Sequence, residues 1–544
     1  MVSASLHFYS GAMHKQRPNF VVFLTDQHRA DLLGCAGHPV LRTPHIDRIA
    51  ERGVRFDRFY VANPVCMPNR ASLMTGRPSS AHGVRSNGLP LSMNEVTFVE
   101  LLRDAGYATV LVGKSHLQNN TGLPPKRQRP AARDSHREAP PALAQSARDH
   151  LDGPLYHQEV PRDWDDPDTR VSLPFYGFEQ VELATGHGDQ VEGNYMAWVR
   201  AQGADLRALR GAQNALPTDY DCPQAWRTAV PEALYPSAYI AEKSCETIER
   251  LSKQDRPFFL LVSFPDPHHP FTPPGRYWDM YRPQDMPSEP SYADADWPVP
   301  PHVQAVFDER AAGQAQLGGF GAFAVSEQEA RQAHALSCGM VACIDDAIGR
   351  VTAQLQQCEL LDDCVLGFTS DHGDFLGDHR LLLKGPAHYQ SLVRVPFIWA
   401  DPALPQRQGA VTHRLASSMD LSATVLDRAG IAAPWGMQGA SLMPVLEQDR
   451  AVRDSVLIEE EQQRLCFGFT KPPRVHTLVT DRWRLSVYRD APVGELYDLA
   501  EDPRERINRW DDNAFVAVKV ELLAQLMREQ MKAVDQAPFP TALA

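Results

Sequence analysis

Residues 19–26 read NFVVFLTD, an apolar run of strand length that ends in a carboxylate. A strand with both faces buried has this pattern, because neither face meets water. Further apolar runs of the same kind recur between amphipathic stretches, at residues 107–113, 257–264, 364–370 and 395–400. Strands that alternate with helices are typical of a large, mostly parallel sheet sandwiched by helices. We therefore predict an α/β fold of this type.

The helices between these strands carry start signals. Thr97 with Glu100, and Ser326 with Glu329, have the spacing of a capping box, in which two side chains satisfy free backbone N–H groups of the first turn. The second pattern predicts a long helix that ends near Gln357.

The chain of 544 residues is longer than one hydrophobic core usually covers. We predict an N-terminal tail at 1–18, a large domain at 19–433 and a smaller α+β domain at 434–544, where hairpin-like runs precede a terminal helix. The segment 118–227 is rich in Pro, Arg and Asp, and this composition predicts a long insertion at the rim of the sheet. Such an insertion either shapes a substrate mouth or decorates the surface, and the sequence favours neither.

Composition restricts the partners. Hydrophobic residues make up 43% and charged residues 22% of the chain, as in ordinary soluble globular proteins. A net charge of -14 argues against nucleic acid or an anionic membrane as the main partner, because both select basic surfaces. Nine cysteines without close pairing do not form a disulfide framework, which favours a reducing compartment. Because no apolar segment has the pattern of a signal peptide or a membrane span, we expect a cytoplasmic protein.

Two pairs of polar residues directly follow apolar strands. Asp26 and Gln27 follow the first strand, and Asp371 and His372 follow the strand at 364–370. In open α/β sheets ligands bind at the carboxyl ends of the strands, so these pairs are expected to meet. Two carboxylates with an amide oxygen and an imidazole suit a hard or borderline divalent cation. Each residue alone is better explained as a turn residue, but both pairs together predict a metal site.

Cys66 lies in the segment NPVCMPNRASLMTG, residues 63–76. Pro68 fits a first helical position and Gly76 a helix end, so Cys66 is expected just before a helix N-terminus, where free N–H groups favour anions. Arg70, one turn into the helix, can bind an oxyanion through two parallel hydrogen bonds. From the residues alone this is a thiolate with a lowered pKa in an anion pocket, as in cysteine phosphatases, or a buried structural cysteine.

The segment from Cys66 to Arg70 matches the C-x-P-x-R signature that formylglycine-generating enzyme reads in type I sulfatases, and ASLMTG continues it as in those proteins. The chain therefore resembles the formylglycine-dependent sulfatases of the alkaline phosphatase superfamily, which implies an alkaline-phosphatase-like fold. The resemblance runs through most of the chain, in the segments LTDQ (24–27), TPHIDRIAERGVRF (43–56), GYATVLVGKSH (106–116), PDPHHPF (265–271), SDHGDFLGDHRLLLKG (370–385) and ELYDLAEDPRE (495–505).

The resemblance implies a role for each residue that matches a family motif. The metal ligands align with Asp26, Gln27, Asp371 and His372. The formylglycine aligns with Cys66, and the arginine that steadies it with Arg70. The groups that face the formylglycine hydroxyls, the sulfate and the leaving oxygen align with Lys114, His116, His268 and Lys384. A substrate-binding asparagine of phosphonate monoester hydrolases aligns with Asn87.

The implied reaction is hydrolysis of a small-molecule sulfate ester. Hydrated formylglycine is a geminal diol, and one of its oxygens attacks sulfur after the cation lowers its pKa. Arg70, Lys114 and Lys384 hold the nonbridging oxygens. His268 or Lys384 protonates the departing alkoxide, and His116 accepts the proton of the second hydroxyl as sulfate is expelled.

The implied cofactors are 3-oxoalanine, made from Cys66 by formylglycine-generating enzyme, and one divalent cation. Ca2+ is the first choice, and His372 makes Mn2+ the alternative because imidazole suits borderline metals. The sequence leaves self-association open.

An alternative function uses the same machinery. Many sulfatases carry other residues where this chain has Gln27 and His372, and the set found here also occurs in phosphonate monoester and phosphodiester hydrolases. Against that alternative, Lys114 and His116 are typical of sulfatases. A relative that keeps the fold only as a binding module predicts lost ligands, and none is lost.

The remaining histidines and cysteines have no ligand spacing. Surface or hydrogen-bonded positions are predicted for His82, His136, His157 and His187. Small core positions are predicted for Cys338, Cys343, Cys358 and Cys364.

Overall fold

The computed structural model describes residues 17–126, 135–140, 143–147, 151–166, 168–294 and 296–543. These residues form seventeen strands and thirteen α-helices. The strands are β1 (Asn19–Thr25), β2 (Val54–Phe56), β3 (Phe59–Tyr60), β4 (Ala108–Gly113), β5 (Gln180–Thr185), β6 (Glu192–Gly193), β7 (Phe258–Ser263), β8 (Phe323–Ala324), β9 (Cys364–Ser370), β10 (Leu381–Leu382), β11 (Phe397–Ala400), β12 (Ala410–Thr412), β13 (Ala416–Ser417), β14 (Ser455–Glu461), β15 (Arg474–Thr480), β16 (Trp483–Tyr488) and β17 (Gly494–Asp498). The helices are α1 (Pro44–Glu51), α2 (Cys66–Thr75), α3 (Ser79–His82), α4 (Phe98–Asp104), α5 (Asn194–Ala201), α6 (Pro236–Leu251), α7 (Pro290–Ala293), α8 (Pro301–Ala311), α9 (Glu327–Gln357), α10 (Gln390–Val393), α11 (Asp420–Arg428), α12 (Met443–Gln448) and α13 (Val516–Lys532).

Nine of the described strands form one central sheet, in the order β12-β2-β11-β9-β1-β7-β4-β5-β6. β1 pairs in parallel with β9 and β7, and β4 pairs in parallel with β7 and β5. β11 lies antiparallel to β2 and β9, and β6 lies antiparallel to β5. The predicted large, mostly parallel sheet is therefore confirmed, with antiparallel strands towards its two edges.

Side chains of the sheet alternate between two faces, and helices cover each face. Val21 and Phe23 share one core with apolar residues of α1, α6 and α9. Phe20, Val22 and Leu24 share the other core with apolar residues of α2, α4 and α11. Burial on both faces explains why the apolar run of β1 is continuous. Both predicted capping boxes are present, at the start of α4 and at the start of α9.

The range predicted as an insertion contains part of the sheet. Within 118–227, β5 pairs in parallel with β4, and Tyr195 and Val199 of α5 join one of the two cores. This part of the range therefore supplies β5 and the edge strand β6 of the central sheet itself. Its sequence QVELAT mixes polar and apolar residues, because residues 180–182 are only half-buried. The domain boundaries stay predictions, and most of the tail expected at 1–18 lies outside the described residues.

The C-terminal region has the predicted α+β character. β14, β15, β16 and β17 form a four-stranded antiparallel sheet in sequence order. Leu522 and Leu526 of α13 pack against Leu478, Leu485 and Leu496 of this sheet. No helix among the described residues has the length and apolar character that crossing a membrane requires.

Candidate active site

The C-terminal ends of β1 and β9 carry the predicted metal ligands. Asp26 and Gln27 follow β1, and Asp371 and His372 follow its parallel neighbour β9, so the four side chains share one edge of the sheet. All four are at most 2% exposed. Nε2 of His372 lies 3.5 Å from Oδ1 of Asp26 and 3.7 Å from Oδ1 of Asp371. Gln27 has a φ of 64°, which turns the chain so that its N–H donates to Oδ1 of Asp371 at 3.2 Å.

These donor atoms fit a divalent cation. Ligands of one cation at metal–oxygen distances of about 2.0–2.6 Å lie about 3–4 Å apart, which matches both distances from His372. Nε2 of Gln27 donates to Asp374 and lies 3.2 Å from Nδ1 of His269, which leaves Oε1 as the donor available to a metal. The residues therefore fit the predicted cation.

Cys66 lies beside these ligands at the start of α2. The helix begins at Cys66 itself with Val65 as its N-cap, so the prediction that Cys66 precedes the helix is off by one residue, and Pro68 is the third helical residue. As predicted, α2 ends at Gly76, which has a φ of 65°.

Charged neighbours surround the Cys66 sulfur. Its Sγ lies 3.0 Å from Nε2 of His372, 3.1 Å from Nζ of Lys384 and 3.8 Å from Oδ1 of Asp26. Burial and Asp26 raise the pKa of the Cys66 thiol, but Lys384, His372 and Lys114 outweigh them and lower it. The sulfur of residue 66 thus faces both the predicted metal ligands and the buried ammonium of Lys384.

The guanidinium of Arg70 forms hydrogen bonds to the two acidic ligands and does not leave two parallel N–H groups free. Its Nε donates to Oδ2 of Asp371 at 2.7 Å and its Nη2 to Oδ2 of Asp26 at 3.2 Å, while Nη1 donates to the Lys114 carbonyl and the Ser263 hydroxyl, each at 3.0 Å. Arg70 is 1% exposed. The prediction that Arg70 binds an oxyanion through two parallel hydrogen bonds is therefore wrong in this structure, because its Nε, Nη1 and Nη2 all donate to protein acceptors. Arg70 instead orients the carboxylates.

Lys114 and His116 follow β4 and lie at the same site. Nζ of Lys114 donates to Oδ2 of Asp26 and lies 2.6 Å from Nε2 of His187. His116 has a φ of 57°, and no described residue is a hydrogen-bond partner of its Nδ1. Burial, Lys114 and Arg70 lower the pKa of His116 well below its ordinary value. A neutral imidazole with an unused ring nitrogen can accept a proton.

Glu159 fixes the segment that carries His116. Its carboxylate accepts from the backbone N–H of His116 at 2.7 Å and from those of Leu117 and Gln118 at 3.0 Å. Burial raises the pKa of Glu159 to about 7 despite these bonds. The range predicted as an insertion thus supplies a positioning residue that sequence reasoning missed.

Lys384 and His268 complete the basic side of the site. Nζ of Lys384 lies 3.0 Å from Nε2 of His268, 3.0 Å from Nε2 of His372 and 3.4 Å from Oε1 of Gln27. Burial, His187 and Lys384 lower the pKa of His268 well below its ordinary value, so its ring is neutral. Its Nδ1–H donates to the His269 carbonyl, so Nε2 accepts from the Lys384 ammonium and orients it.

His187 belongs to the site although sequence reasoning set it aside. Its ring stacks on that of His268 with centroids 3.6 Å apart and planes at 16°. The prediction of a hydrogen-bonded histidine is correct, but the bond is to Lys114 inside the site. The flanking Gly186 and Gly188 both have positive φ values, and this GHG pattern was the available signal of a tight turn.

The other histidines follow their predictions. His82 is buried and lies 3.0 Å from the Ser72 hydroxyl through Nε2, while His136 and His157 are exposed. Three of the four cysteines predicted as core residues are buried and Cys358 is half-buried.

A cavity of about 530 Å³ opens above Cys66. His116, His187, His268 and Lys384 line it together with Cys66. Its outer wall includes the aromatic residues Trp226, Phe320 and Phe467. Asn87 also lies in the wall, where its Oδ1 accepts from the N–H of Met67 at 3.1 Å, and its substrate-binding role stays a prediction.

A metal-ligand set, a nucleophile position at a helix N-terminus and buried cations around one cavity define a metal-dependent hydrolase of anionic esters. Comparison with known proteins narrows this class. The family model described as Sulfatase matches residues 18–431, and the model described as N-sulphoglucosamine sulphohydrolase, C-terminal, matches residues 377–532. The chain belongs to the sulfatase family, as its sequence predicted, and is a sulfuric ester hydrolase.

Relatives match over nearly the whole chain. An arylsulfatase of Clostridium perfringens is 27% identical over 528 residues, 96% of this chain and 95% of the relative. A multifunctional alkaline phosphatase superfamily protein of Trinickia caryophylli is 28% identical over 525 residues, 92% of this chain and 93% of the relative. The crystal structure of the phosphonate monoester hydrolase of Agrobacterium radiobacter superposes with a TM-score of 0.74 at 26% identity, covering 96% of this chain and 97% of that one.

Proposed function

We propose that this chain hydrolyses small-molecule sulfate esters with formylglycine at position 66 and one divalent cation, Ca2+ as first choice and Mn2+ as alternative. The observation that carries the proposal is the position of the Cys66 sulfur, 3.0 Å from His372 and 3.1 Å from Lys384 at the floor of the cavity. The proposal includes conversion of Cys66 by formylglycine-generating enzyme and the cytoplasmic location expected from the sequence.

The ligands Asp26, Gln27, Asp371 and His372 would hold the cation. When bound, the cation supplies Lewis acidity that stabilises negative charge on the nucleophile and on the ester oxygens. Oxidation of Cys66 supplies an aldehyde whose hydrate has an oxygen nucleophile.

The remaining work falls to residues of this chain. Lys114 and Lys384 both place positive charge near residue 66, where nonbridging oxygens collect charge. The Lys384 ammonium, whose Nζ lies 3.0 Å from Nε2 of neutral His268, is placed to give a proton to the departing oxygen, and His268 orients it. Neutral His116 is placed to accept a proton when sulfate leaves.

A second candidate function is hydrolysis of phosphonate monoesters or phosphodiesters. The wall position of Asn87 and the likeness to a phosphonate monoester hydrolase favour it. Lys114, which donates to Asp26, and His116 in the cavity wall favour sulfate, because this pair is typical of sulfatases.

The test compares substrates on protein coexpressed with formylglycine-generating enzyme. Mass analysis of the peptide that contains residue 66 measures conversion, and kcat/KM is measured for an aryl sulfate, a phosphonate monoester and a phosphodiester. We expect the sulfate to have the largest kcat/KM and Cys66→Ala to lose activity, while Cys466→Ala, a matched change elsewhere in the cavity wall, keeps it. A larger kcat/KM for either phosphorus ester, or full activity with an unconverted thiol, would contradict the proposal.

Metal removal gives an independent prediction. EDTA is expected to abolish activity, because the buried carboxylates hold the cation that activates the nucleophile. Titration with Ca2+ or Mn2+ then measures which ion restores kcat. Activity that survives complete chelation, checked by elemental analysis, would refute the metal role.

A further inference from the structure

Helix α13 carries a row of exposed apolar side chains that the proposed activity does not use. Val516 is 45% exposed, Val520 59%, Met527 63% and Met531 70%. At about 100° of rotation per residue, these four fall within about 60° of the helix circumference. We call this row the α13 stripe. Single exposed apolar residues are normal, but a continuous row indicates a contact surface.

The α13 stripe is not the face by which the helix packs on its own sheet. Leu522 and Leu526, which are 5% and 4% exposed, form that face and contact the antiparallel sheet of β14 to β17. The two faces are about 130° apart around the helix. The packed face already anchors α13, so its anchoring does not require the stripe.

The order of residues along the stripe is self-complementary. In an antiparallel pairing of two α13 helices centred between residues 523 and 524, Val516 of one copy meets Met531 of the other, and Val520 meets Met527. A twofold axis repeats each contact. The half-buried Leu523, midway along the helix, packs against the C-terminal sheet and lies between the packed face and the stripe.

The charges that border the stripe follow the same symmetry. Glu521 and Arg528 are exposed and lie on the same side of the stripe. Antiparallel pairing brings Glu521 of one copy to within about 3 Å, measured along the axis, of Arg528 of the other. A helix that lies on a membrane usually has a polar face rich in Lys and Arg, which the net charge of -14 and this mixed border do not favour.

We propose that a second copy of this chain covers the α13 stripe, and that two α13 helices pair antiparallel to form a homodimer. The Val and Met side chains bury one another at the centre, and two Glu521–Arg528 ion pairs fix the direction of the pairing. The inference does not depend on the substrate of the enzyme.

The experiment measures the mass of the full chain in solution by light scattering and native mass spectrometry across a dilution series. We expect a dimer, and Met527→Glu is expected to convert it to monomer. Glu521→Arg or Arg528→Glu alone is expected to raise the dissociation constant about 5- to 30-fold, because like charges then face each other. The double change E521R/R528E is expected to return the dissociation constant to within about threefold of the original value, because the two ion pairs form again with the charges exchanged.

Met280→Glu is the matched control, because Met280 is 41% exposed and lies outside α13. It is expected to leave the dimer intact, and thermal unfolding checks that each variant is folded. A monomeric chain at tens of micromolar, a dimer indifferent to Met527→Glu, or a double change that fails to restore association would each overturn the proposal. Stripe-dependent sedimentation of a monomer with neutral phosphatidylcholine vesicles would overturn it in favour of a lipid surface.

Discussion

At the scale of single residues, His187 shows how a side chain can serve a reaction through a neighbour. Its Nε2 lies 2.6 Å from Nζ of Lys114, and its ring stacks on His268. Burial and Lys114 lower the pKa of His187 well below its ordinary value. The ring is therefore neutral and accepts a hydrogen bond from the ammonium. We interpret His187 as a positioning residue for Lys114 and His268.

Removal of this acceptor is expected to weaken catalysis. His187→Ala is expected to lower kcat/KM for a sulfate ester about 10- to 100-fold, because a hydrogen bond to a charged group contributes about 1.5–3 kcal/mol. His187→Gln, which can still accept from Lys114, is expected to recover part of the loss. The exposed His157→Ala serves as control. If His187→Ala stayed within twofold of the original kcat/KM, the positioning role would be wrong.

The site residues differ in how far the sequence could predict them. Asp26 and Asp371 were predictable because each directly follows a strand, and strand ends meet at one edge of the sheet. The hydrogen-bond partners of Arg70 could not be predicted, because a guanidinium at a helix start fits an oxyanion and a carboxylate equally well. His187 and Glu159 lie in irregular segments whose position in space has no periodic signal in the sequence.

At the scale of elements, Asp345 links two helices through a buried carboxylate. It lies on α9, is 2% exposed, and its Oδ1 accepts from the backbone N–H of Ile46 at 2.8 Å and of His45 at 3.1 Å. It therefore satisfies free donors in the first turn of α1. Burial raises the pKa of Asp345 to about 7, in spite of these two bonds.

This raised pKa predicts a pH dependence of stability. The ordinary value is 3.8, so between about pH 4 and 7 the folded chain binds a proton at Asp345 that the unfolded chain has lost. The stabilisation is complete below about pH 4 and is lost as the pH rises through about 7, at no more than about 1.4 kcal/mol per pH unit. Urea unfolding at pH 5, 6, 7 and 8 measures it.

Asp345→Asn tests this assignment because the amide oxygen still accepts a hydrogen bond and has no proton to lose. The difference in unfolding free energy between the original chain and this variant is expected to fall between pH 5 and 7. Asp362→Asn, at a side chain that is 83% exposed, is expected to leave the pH profile unchanged. A constant difference across the range for Asp345→Asn would show that this carboxyl does not titrate there.

Elements with strong local signals were predicted closely. α9 begins and ends at the predicted residues because a capping box and a long apolar face specify it. The sequence predicted β11 as a strand but did not predict that it runs antiparallel to β9, because an apolar run contains no information on strand direction. β5 was missed because three of its six residues are half-buried and carry mixed polarity.

At the scale of the whole molecule, the C-terminal region contributes to the same cavity as the central sheet. Glu461, Gln463, Arg464 and Phe467, which lie at the end of β14 and in the loop after it, line the cavity that contains Cys66. The loop is anchored where Nε2 of Gln463 donates to the carbonyl oxygen of Asn87. The site therefore needs both regions to be folded and docked.

Arg484 is the centre of the buried contact between these regions. Its Nη1 donates to Oε2 of Glu495 at 2.8 Å, its Nε donates to Glu505, and its guanidinium lies 4.6 Å from the ring centroid of Tyr497. Glu505 in turn accepts from the backbone N–H of Gln390 at 2.6 Å. Residues 379–390 include Lys384, so the network joins the C-terminal sheet to the segment that carries the lysine proposed above as catalytic.

Arg484→Met is therefore expected to lower the free energy of unfolding by about 3–5 kcal/mol, because it leaves two carboxylates buried without a cation. It is also expected to lower kcat through the displaced Lys384. Neutralising the acids as well, in R484M/E495Q/E505Q, is expected to restore part of the stability, since no unpaired charge then remains buried. Arg482→Met, which breaks the more exposed pair with Asp498, is expected to lower the free energy of unfolding by less than about 1 kcal/mol.

Urea unfolding followed by both tryptophan fluorescence and activity measures these differences. Equal losses for Arg484→Met and Arg482→Met would show that the buried network does not hold the two regions together.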